Sequence, residues 1–231
     1  MKPFKIFIGY DPCETVAYHV LSHSLLSRAS IPITITPLVR SALSKVGAYR
    51  RPRTAMESTD FSLTRFLVPW LSGYEGVSLF MDCDMLCRTD IADLLDFCTG
   101  HESVLVCQHD YIPKTATKFL DQPQTRYPRK NWSSLMLFNN ARCQQLTPAY
   151  VNSVPPLELH RFVWTQSVGA LPLEWNWLVG EYAPNPDAKI LHYTIGGPWF
   201  RDYQFCDQAD LWFQEMDLVF PALNMPKPVE V

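Results

Sequence analysis

The residues whose types and spacing point most directly to chemistry are two aspartates in the segment SLFMDCDMLC, residues 78–87. Asp82 and Asp84 interrupt an otherwise apolar run, and an unpaired buried carboxylate costs free energy. On an extended chain, residues i and i+2 point to the same side, so both carboxylates can face one hard divalent cation. A cation that bridges the phosphates of a nucleotide diphosphate would neutralise the pair. The alternative is a strand end whose aspartates accept hydrogen bonds from backbone amides, because a D-x-D pattern by itself is common.

An open α/β sheet would position these two aspartates. The short apolar run Phe4–Gly9 predicts a buried strand, the spacing of apolar residues predicts a helix over 14–28, and the β-branched run Ile33–Leu38 predicts a second strand. This β-α-β order implies parallel strands joined by a right-handed crossover. The run Val77–Met81 predicts a strand that carries the aspartates at its carboxyl end, which is where open α/β sheets bind their ligands.

The remaining segments complete one mixed α/β unit. Residues 41–60 lack a clear period and contain a basic cluster, which predicts a long loop that is functional or mobile. A helix is predicted over 62–71, with Pro69 disturbing its end, and Thr89 or Asp90 is expected to cap a short helix. Further strands are predicted over 103–107, 134–138 and 189–193, and an amphipathic helix over 207–220.

The composition limits the class of protein. The chain has 231 residues, of which 47% are hydrophobic, so it can bury one sizeable core, and this favours one domain over two. The net charge of −3 gives no reason to expect nucleic acid or an anionic membrane as a partner. The seven cysteines are scattered and form no CxxC pair, so neither a zinc site nor a disulfide framework is indicated. No signal peptide or transmembrane segment is evident, which predicts a cytoplasmic protein; peripheral membrane association is compatible with this prediction.

Four stretches of the chain resemble the GT-A-fold glycosyltransferases, most closely the retaining family 8 type. IFIGYDPCE looks like the first strand and nucleotide-binding loop, and SLTRFLVPWL with the following GYEGVSLFMDCDML resembles the helix and strand that bear a donor-contacting Arg and the DxD motif. NWSSLMLFNNARC is similar to the acceptor-side strand, and LHYTIGGPW to the closing H-x-x-G-x-x-K-P-W segment. The resemblance implies a single Rossmann-like GT-A domain over 1–231, with a mostly parallel central sheet flanked by helices. Its N-terminal half would bind nucleotide and metal, and its C-terminal half would form the acceptor side.

The resemblance also implies roles for individual residues. The metal, Mn²⁺ or Mg²⁺, would be held by Asp82, Asp84 and His192. The nucleotide sugar would contact residues along these stretches, namely Gly9, Tyr10, Asp11, Arg65, Asp82, Cys83, Asp84, Gly196 and Gly197. The acceptor would face Asn131, Trp132, Ser133 and Ser134. If a protein group assists at the transferred sugar, the candidates are Gln166 and Asp110. For Arg65 the alternative is a helix-surface ion pair with Glu57 or Asp60, and for Tyr10 it is plain packing.

Two departures from the family pattern affect the chemistry. The family usually places Lys before Pro-Trp in the closing segment, where it offsets the charge of the leaving diphosphate, but this chain has Gly197. The cation is therefore missing or supplied elsewhere, and the candidates are Lys114, Lys118, Arg129, Lys130 and Arg201. The family's Asp-Gln pair reads Thr165-Gln166 here, so the acid is absent.

The resemblance implies a metal-dependent glycosyltransferase that moves a sugar from a nucleotide sugar, with UDP expected as the nucleotide, to a glycan or lipid-linked acceptor with retention. One alternative is a metal-dependent phosphatase of the haloacid dehalogenase type. It fits less well, because a whole β-α-β unit precedes the aspartates and no adjacent acidic pair follows them. The other alternative is a nucleotide-sugar-binding module without catalytic activity.

Overall fold

Strands and helices alternate along the computed structural model, which describes residues 2–54, 57–124 and 127–219. The strands are β1 (Phe4–Gly9), β2 (Ile33–Leu38), β3 (Val77–Met81), β4 (Met85–Cys87), β5 (Val104–Cys107), β6 (Thr117–Lys118), β7 (Gln122–Pro123), β8 (Leu135–Asn139), β9 (Val168–Leu171), β10 (Trp177–Leu178) and β11 (Ile190–His192). The α-helices are α1 (Thr15–Arg28), α2 (Arg40–Lys45), α3 (Val68–Leu71), α4 (Pro148–Ser153), α5 (Pro156–His160) and α6 (Ala209–Val219). Short 3-10 helices connect several of them, among them Pro12–Glu14, Thr64–Leu67 and Ile91–Phe97.

Six strands form the central sheet in the order β2-β1-β3-β8-β5-β9. β1 pairs in parallel with both β2 and β3, and β5 pairs in parallel with β9. β8 runs antiparallel between β3 and β5. The sheet is therefore mostly parallel, and the predicted α/β class is confirmed.

A second, three-stranded sheet has the order β10-β11-β4. The chain passes from β3 directly into β4 through Asp82, Cys83 and Asp84, so the acidic pair lies where the two sheets meet. β4 pairs antiparallel with β11, and this register places His192 opposite Met85. The sequence patterns do not predict β4, yet it is the element that brings the acidic pair and the histidine together.

Helix α1 joins the two hydrophobic cores of the molecule. Leu21 and Leu25 of this helix belong to the large core around the central sheet, while Val20 belongs to a smaller core beneath α6. A buried carboxylate on α6, Glu215, accepts hydrogen bonds from both terminal nitrogens of Arg28 at 2.6 and 3.0 Å. The small core and this bidentate pair attach α6 to α1.

Most predicted elements are confirmed, and the differences have simple causes. The helix predicted over 62–71 is a 3-10 turn, Thr64–Leu67, followed by α3. Pro69 lies in the first turn of α3, where a missing amide proton costs nothing, so it starts this helix instead of ending one. Residues 40–45, mostly within the predicted loop, form α2. Asp90 caps the turn Ile91–Phe97 as expected, accepting from the amide of Ala92.

The C-terminal helix predicted over 207–220 is α6, which ends at Val219; Phe220 lies outside the described residues. Within the described part of the chain, no helix is both long enough and apolar enough to cross a membrane.

Candidate metal and donor site

The backbone around the acidic pair is fixed from both sheets. The amide of Asp82 donates to the carbonyl oxygen of Ser134 at 2.9 Å, next to β8. The carbonyl oxygen of Asp84 accepts from the amide of Tyr193 at 2.9 Å, next to β11. With both ends of this three-residue crossing held, the carboxylates of Asp82 and Asp84 and the imidazole of His192 each place one ligand atom within 4.8 Å of the others. Among the described residues, this is the cluster whose donor set could hold a metal ion.

Each aspartate lies beside an ionisable side chain. Asp82 Oδ1 lies 2.9 Å from a guanidinium nitrogen of Arg65, and Asp84 Oδ1 lies 3.3 Å from Nε2 of His192. Within the described parts of the chain, neither oxygen has a partner with hydrogen-bond geometry, although both are buried. Burial raises the pKa of Asp82 to about 6, against the opposing charge of Arg65. Burial also opposes ionisation of Asp84, but the charge of His192 holds the pKa of Asp84 below its usual range.

A buried amide fixes the orientation of His192. Asn176 Nδ2 donates to Ser134 Oγ at 2.8 Å, and Ser134 Oγ in turn donates to the carbonyl oxygen of Asn131 at 2.7 Å. Asn176 Oδ1 is therefore the acceptor for His192 Nδ1 at 2.8 Å. With Nδ1 as the donor, Nε2 either carries a second proton that faces Asp84 or faces it as a bare acceptor. A cation between Nε2 and the unbonded carboxylate oxygens would stabilise the second arrangement, so these residues fit a divalent metal.

Arg65 lies inside the protein and not on a helix surface. It is 6% exposed, donates to the carbonyl oxygens of Phe61 and Ser133, and stacks its guanidinium over Phe80 at 4.9 Å. The predicted alternative, an ion pair with Glu57 or Asp60, is wrong: those acids pair with Arg40 and Arg53. Arg65 is therefore a fixed cation beside Asp82.

A cleft of about 390 Å³ opens over Asp82, Asp84 and His192, the three candidate metal ligands, which are together called the metal cluster. Two of the candidate replacement cations, Lys118 and Lys130, line it together with Arg65, Asp82, Asp84 and His192. Lys118 lies on the hairpin β6-β7, which is attached to the rest of the protein by the amide of Phe119, a donor to the carbonyl oxygen of Ile195. Burial lowers the pKa of Lys118, while the charges of Asp84, Glu14 and Asp82 oppose that shift. Lys118 thus faces the acidic cluster.

The other candidate cations have different neighbours. Lys114 Nζ donates to the carbonyl oxygen of Gly180, and Arg129 lies over the ring of Trp132 and donates to the carbonyl oxygen of Arg161. Arg201 is exposed. None of these three lines the cleft as the described residues form it.

Tyr10 and Asp11, in the loop after β1, were predicted to contact the nucleotide, but their side chains bond to other groups of the protein. Asp11 is 4% exposed, and its two carboxylate oxygens accept from the amides of Cys13 and Asp60. Tyr10 bonds through its hydroxyl to Thr15 and packs edge-on against Tyr18. These contacts favour the packing interpretation of Tyr10 and give Asp11 a structural role in the loop.

Cys83, between the two aspartates, is fully buried and contacts the carboxylate of Glu14, a residue that is 1% exposed. Burial, and then the charges of Asp84 and Asp11, raise the pKa of Glu14 well above its ordinary value. Glu14 is a third acid near the metal cluster that sequence analysis missed.

The three glycines predicted to approach the donor are required by aromatic packing. A Cβ atom at Gly9 would lie 2.3 Å from the ring of Phe61, and one at Gly197 would lie 2.1 Å from the ring of Trp199. Gly196 has φ +153° and faces Tyr203. Packing therefore explains these glycines without reference to a ligand.

The predicted acceptor-side residues lie at one wall of the cleft. Asn131 has a left-handed backbone and donates to Tyr111 and Thr194. Ser133 bonds through its hydroxyl to His160, and Ser134 belongs to the Asn176 network. These three residues line the cleft. Trp132 is partly buried, donates from its indole to the carbonyl oxygen of His109, and does not line the cleft as the described residues form it.

The structure does not bring Gln166 to the metal cluster. Gln166 precedes β9, next to Thr165 and Ser167, which bond to Ser103 before the start of β5. Because β5 and β9 are parallel, these residues lie at the amino end of their strands, whereas Asp82 follows the carboxyl end of β3. Asp110 follows β5 at the correct end of the sheet and is exposed. Neither Gln166 nor Asp110 lines the cleft in the described part of the chain.

Two further site residues escaped sequence analysis, and a third was only one of several candidates. Asn176, His160 and Lys118 reach the cleft or its ligands from distant segments, and Lys118 was only one of five candidates. The nearest signal in the sequence is the Trp-rich run LEWNW, which contains the buried Asn176.

Comparison with known proteins establishes the family and the fold. No protein-family model matches the chain. Over 225 residues it is 46% identical to Protein CDI of Arabidopsis thaliana, which covers 94% of this chain and 87% of that protein. The chain belongs to the family of Protein CDI. That name carries no statement of activity, so the relationship assigns the family alone.

Solved structures with the same fold are glycosyltransferases. The bifunctional glycosyltransferase WbbM in its apo form has a TM-score of 0.64 at 16% identity, over 93% of this chain and 49% of that one. GlyE of Streptococcus pneumoniae TIGR4 has 0.60 at 14%, over 96% and 63%. The galactosyltransferase LgtC, in complex with donor and acceptor sugar analogues, has 0.58 at 12%, over 93% and 96%. The chain thus has the GT-A glycosyltransferase fold, and it spans about half the length of WbbM.

Proposed function

We propose that this protein is a metal-dependent glycosyltransferase that moves a sugar from a UDP-sugar to a glycan or lipid-linked acceptor, with retention of configuration. The observation that carries the proposal is the cluster of Asp82, Asp84 and His192 after a central strand of a GT-A fold. The carboxyl end of such a strand is where open α/β sheets bind ligands. The cytoplasmic location expected from the sequence stays a prediction.

The chemistry of the cluster suits Mn²⁺ or Mg²⁺. Two carboxylates and one imidazole form a hard, mixed oxygen and nitrogen set, and the unbonded Oδ1 atoms of Asp82 and Asp84 are the groups that a cation would satisfy. When bound, the metal would act as a Lewis acid on the diphosphate leaving group. Asn176 would hold His192 with Nε2 directed at the ion.

The protein's own cations would complete the charge balance at the diphosphate. Arg65 is held rigidly by two carbonyl oxygens, and Lys118 faces the acids from the hairpin β6-β7. In the resembled family, a Lys in the closing segment offsets the charge of the leaving diphosphate, and this chain has Gly197 at that position. We assign this role to Lys118. Fixed positive charges at the place where negative charge develops stabilise the transition state without reorganisation.

The reaction would need no nucleophile from the protein. The bond between the anomeric carbon and the diphosphate oxygen breaks, the acceptor oxygen bonds to the same face of that carbon, and the hydroxyl proton passes to the departing diphosphate. Gln166 precedes β9 at the other end of the sheet, which argues against a part for it in this step, and Asp110, in the loop after β5, is the remaining candidate from the protein.

A nucleotide-sugar-binding module without catalytic activity is the second candidate. The observation in its favour is that neither Gln166 nor Asp110 lines the cleft among the described residues. We do not extend the proposal to a phosphatase, because the aspartates follow β3 and not the first strand.

A thermal-shift panel tests the proposal. UDP-, GDP- and CMP-sugars are each added with Mn²⁺ and again with EDTA, and ligand at about 100 times its dissociation constant stabilises the folded state by ~2.7 kcal/mol. A shift with UDP-sugars in Mn²⁺ alone is the expected result. No metal-dependent shift with any donor would contradict the proposal, and a shift without turnover on any hydroxyl acceptor or on water would favour the binding module.

A further inference from the structure

The wall of the cleft that carries Ser133 differs chemically from the metal end. It is formed by His160 together with three consecutive apolar residues, Pro155, Pro156 and Leu157. The metal end, by contrast, is lined by carboxylates and cations. The cleft therefore offers a ligand two environments in one continuous space.

His160 is the polar group of this wall, and its position is fixed. Its Nδ1 atom and the hydroxyl of Ser133 are hydrogen-bonded at 2.8 Å, and the ring of Phe66 packs edge-on against it at 5.3 Å. Burial and the charge of Arg65 lower the pKa of His160 to about 3, so the imidazole is neutral at physiological pH. Nε2, on the other side of the ring, is then a neutral hydrogen-bonding group, of the kind that recognises a hydroxyl.

Ser133 links this wall to the metal end. Its carbonyl oxygen accepts from Arg65 at 2.8 Å, and Arg65 lies 2.9 Å from Asp82. A hydroxyl held at His160 would thus be linked through Ser133 and Arg65 to the groups that are proposed to face the diphosphate. His160, Ser133, Arg65 and Asp82 all line the same cleft.

The apolar residues lie beside His160 and are accessible. Leu157 is 47% exposed although it lines the cleft, and the two proline rings precede it at the start of α5. None of these three side chains can donate or accept a hydrogen bond. A polyhydroxylated ligand would lose hydrogen bonds to water against this surface without gaining replacements, whereas an apolar ligand would gain from burial.

We propose that Ser133, His160 and the segment 155–157 form the acceptor subsite, and that it takes a hydroxyl carried on an apolar body, such as a sugar with an alkyl or aryl aglycone. The inference rests on the proposed function, because it assigns the acceptor of the same site. It favours a lipid-type acceptor over an extended free glycan. His160 holds the hydroxyl, and the prolines and Leu157 contact the apolar body.

Two glycosides with the same sugar test the preference. Binding of methyl β-D-glucoside and n-octyl β-D-glucoside, the latter kept below its micelle concentration, is measured by calorimetry on the full chain with UDP and Mn²⁺. Each buried methylene is worth roughly fourfold in affinity, so contact of two or more methylenes with the wall predicts at least about tenfold tighter binding of the octyl glycoside. Equal affinities, or no binding of either compound, would overturn the proposal.

A matched pair of variants locates the effect. Leu157→Asp places a charge in the cleft wall, and Val163→Asp does the same at a residue that is 49% exposed and does not line the cleft as described. We expect Leu157→Asp to remove the preference for the octyl glycoside and Val163→Asp to keep it. The proposal fails if the two variants behave alike. His160→Phe keeps a planar ring but loses the hydrogen bond, and should weaken both glycosides by the same factor; an unchanged affinity for both would overturn the role of His160.

The Mn²⁺-dependent thermal shift with UDP, recorded on the same samples, separates this inference from the proposed function. A nucleotide shift without a preference between the glycosides would overturn the acceptor subsite alone. A preference for the octyl glycoside without a nucleotide shift would overturn the proposed transferase and leave the subsite standing.

Discussion

Asn176 gives the sharpest test of how the protein prepares its metal site. The substitution Asn176→Ala removes the acceptor of His192 Nδ1 at 2.8 Å and the donor to Ser134 Oγ at 2.8 Å, and it removes none of the proposed metal-ligating atoms. His192 then loses the contact that fixes its tautomer and ring orientation. The donor set stays complete, but one of its members is no longer held in place.

Two magnitudes follow from these contacts. Each of the two lost hydrogen bonds costs about 1 kcal/mol, and leaving the fully buried Nδ1 group unpaired adds about 1–3 kcal/mol, so the free energy of unfolding should fall by roughly 3–5 kcal/mol. Hydrogen-bond partners of metal-bound histidines typically contribute about 10–100-fold to metal affinity. The Mn²⁺ affinity of Asn176→Ala should therefore fall by about that factor.

The matched control is Asn140→Ala. Asn140 is also 0% exposed and also makes two side-chain hydrogen bonds, with Ser78 Oγ at 2.8 Å and the carbonyl oxygen of Glu75 at 2.9 Å, but it lies at the other end of β3 and β8. Urea unfolding gives the stability of each variant, and the EPR signal of free Mn²⁺, titrated with UDP present, gives the metal affinity. Both variants should lose similar stability, and only Asn176→Ala should lose metal affinity. Equal Mn²⁺ affinity in the two variants would refute the orienting role of Asn176.

Three further predictions concern other buried ionisable side chains. His192→Ala should weaken Mn²⁺ binding more than Arg65→Ala does, because only the imidazole is a proposed ligand; the same titration decides, and the reverse order would contradict the assignment. Lys118→Met should tighten Mn²⁺ binding in the absence of nucleotide, because a nearby positive charge is removed, and should weaken UDP binding. If the Mn²⁺ affinity and the UDP affinity changed in the same direction, Lys118 would not belong to the diphosphate site. Burial lowers the pKa of His109 from 6.5 to about 3, so between these values the unfolded chain binds one more proton and stability falls as the pH falls. His109→Gln should reduce that slope by about 1.4 kcal/mol per pH unit in urea unfolding at pH 4.5 to 5.5, and an unchanged slope would show that His109 is protonated in the folded state.

The sequence predicted those parts of the fold that depend on local patterns. The runs Phe4–Gly9, Ile33–Leu38 and Val77–Met81 are strands with the predicted bounds, because each is a short apolar or β-branched run that ends at a turn. The strand β4 was not predicted, since three residues carry no period and their pairing with β11 is a long-range contact. Because β9 runs parallel to β5, Gln166 lies at the amino end of the sheet, away from Asp82. No local sequence pattern shows at which end of a sheet a residue lies.

The residues of the site that the local sequence marks could be predicted, and those that depend on long-range contacts could not. Asp82 and Asp84 could be recognised because two acids in a buried run are unusual. His192 was identified through the resemblance of its segment, and the structure brings its imidazole to the aspartates. Asn176 and His160 act through hydrogen bonds to residues that are distant in the sequence, and only the fold brings these pairs into contact. Lys118 and Lys130 could be separated from the other three candidate cations only once the fold placed both at the cleft.

The central claim is that Asp82, Asp84 and His192 bind a divalent metal that in turn binds a nucleotide diphosphate. Its most direct test is the affinity of UDP for the wild-type protein and for Asp84→Asn, measured by calorimetry in Mn²⁺ and in EDTA, with the exposed Asp187→Asn as the control. The account predicts that Mn²⁺ tightens UDP binding to the wild type and to Asp187→Asn, and that Asp84→Asn loses this gain while keeping its thermal unfolding midpoint in EDTA. UDP binding that is the same with and without Mn²⁺, or that Asp84→Asn leaves unchanged in Mn²⁺, would contradict it.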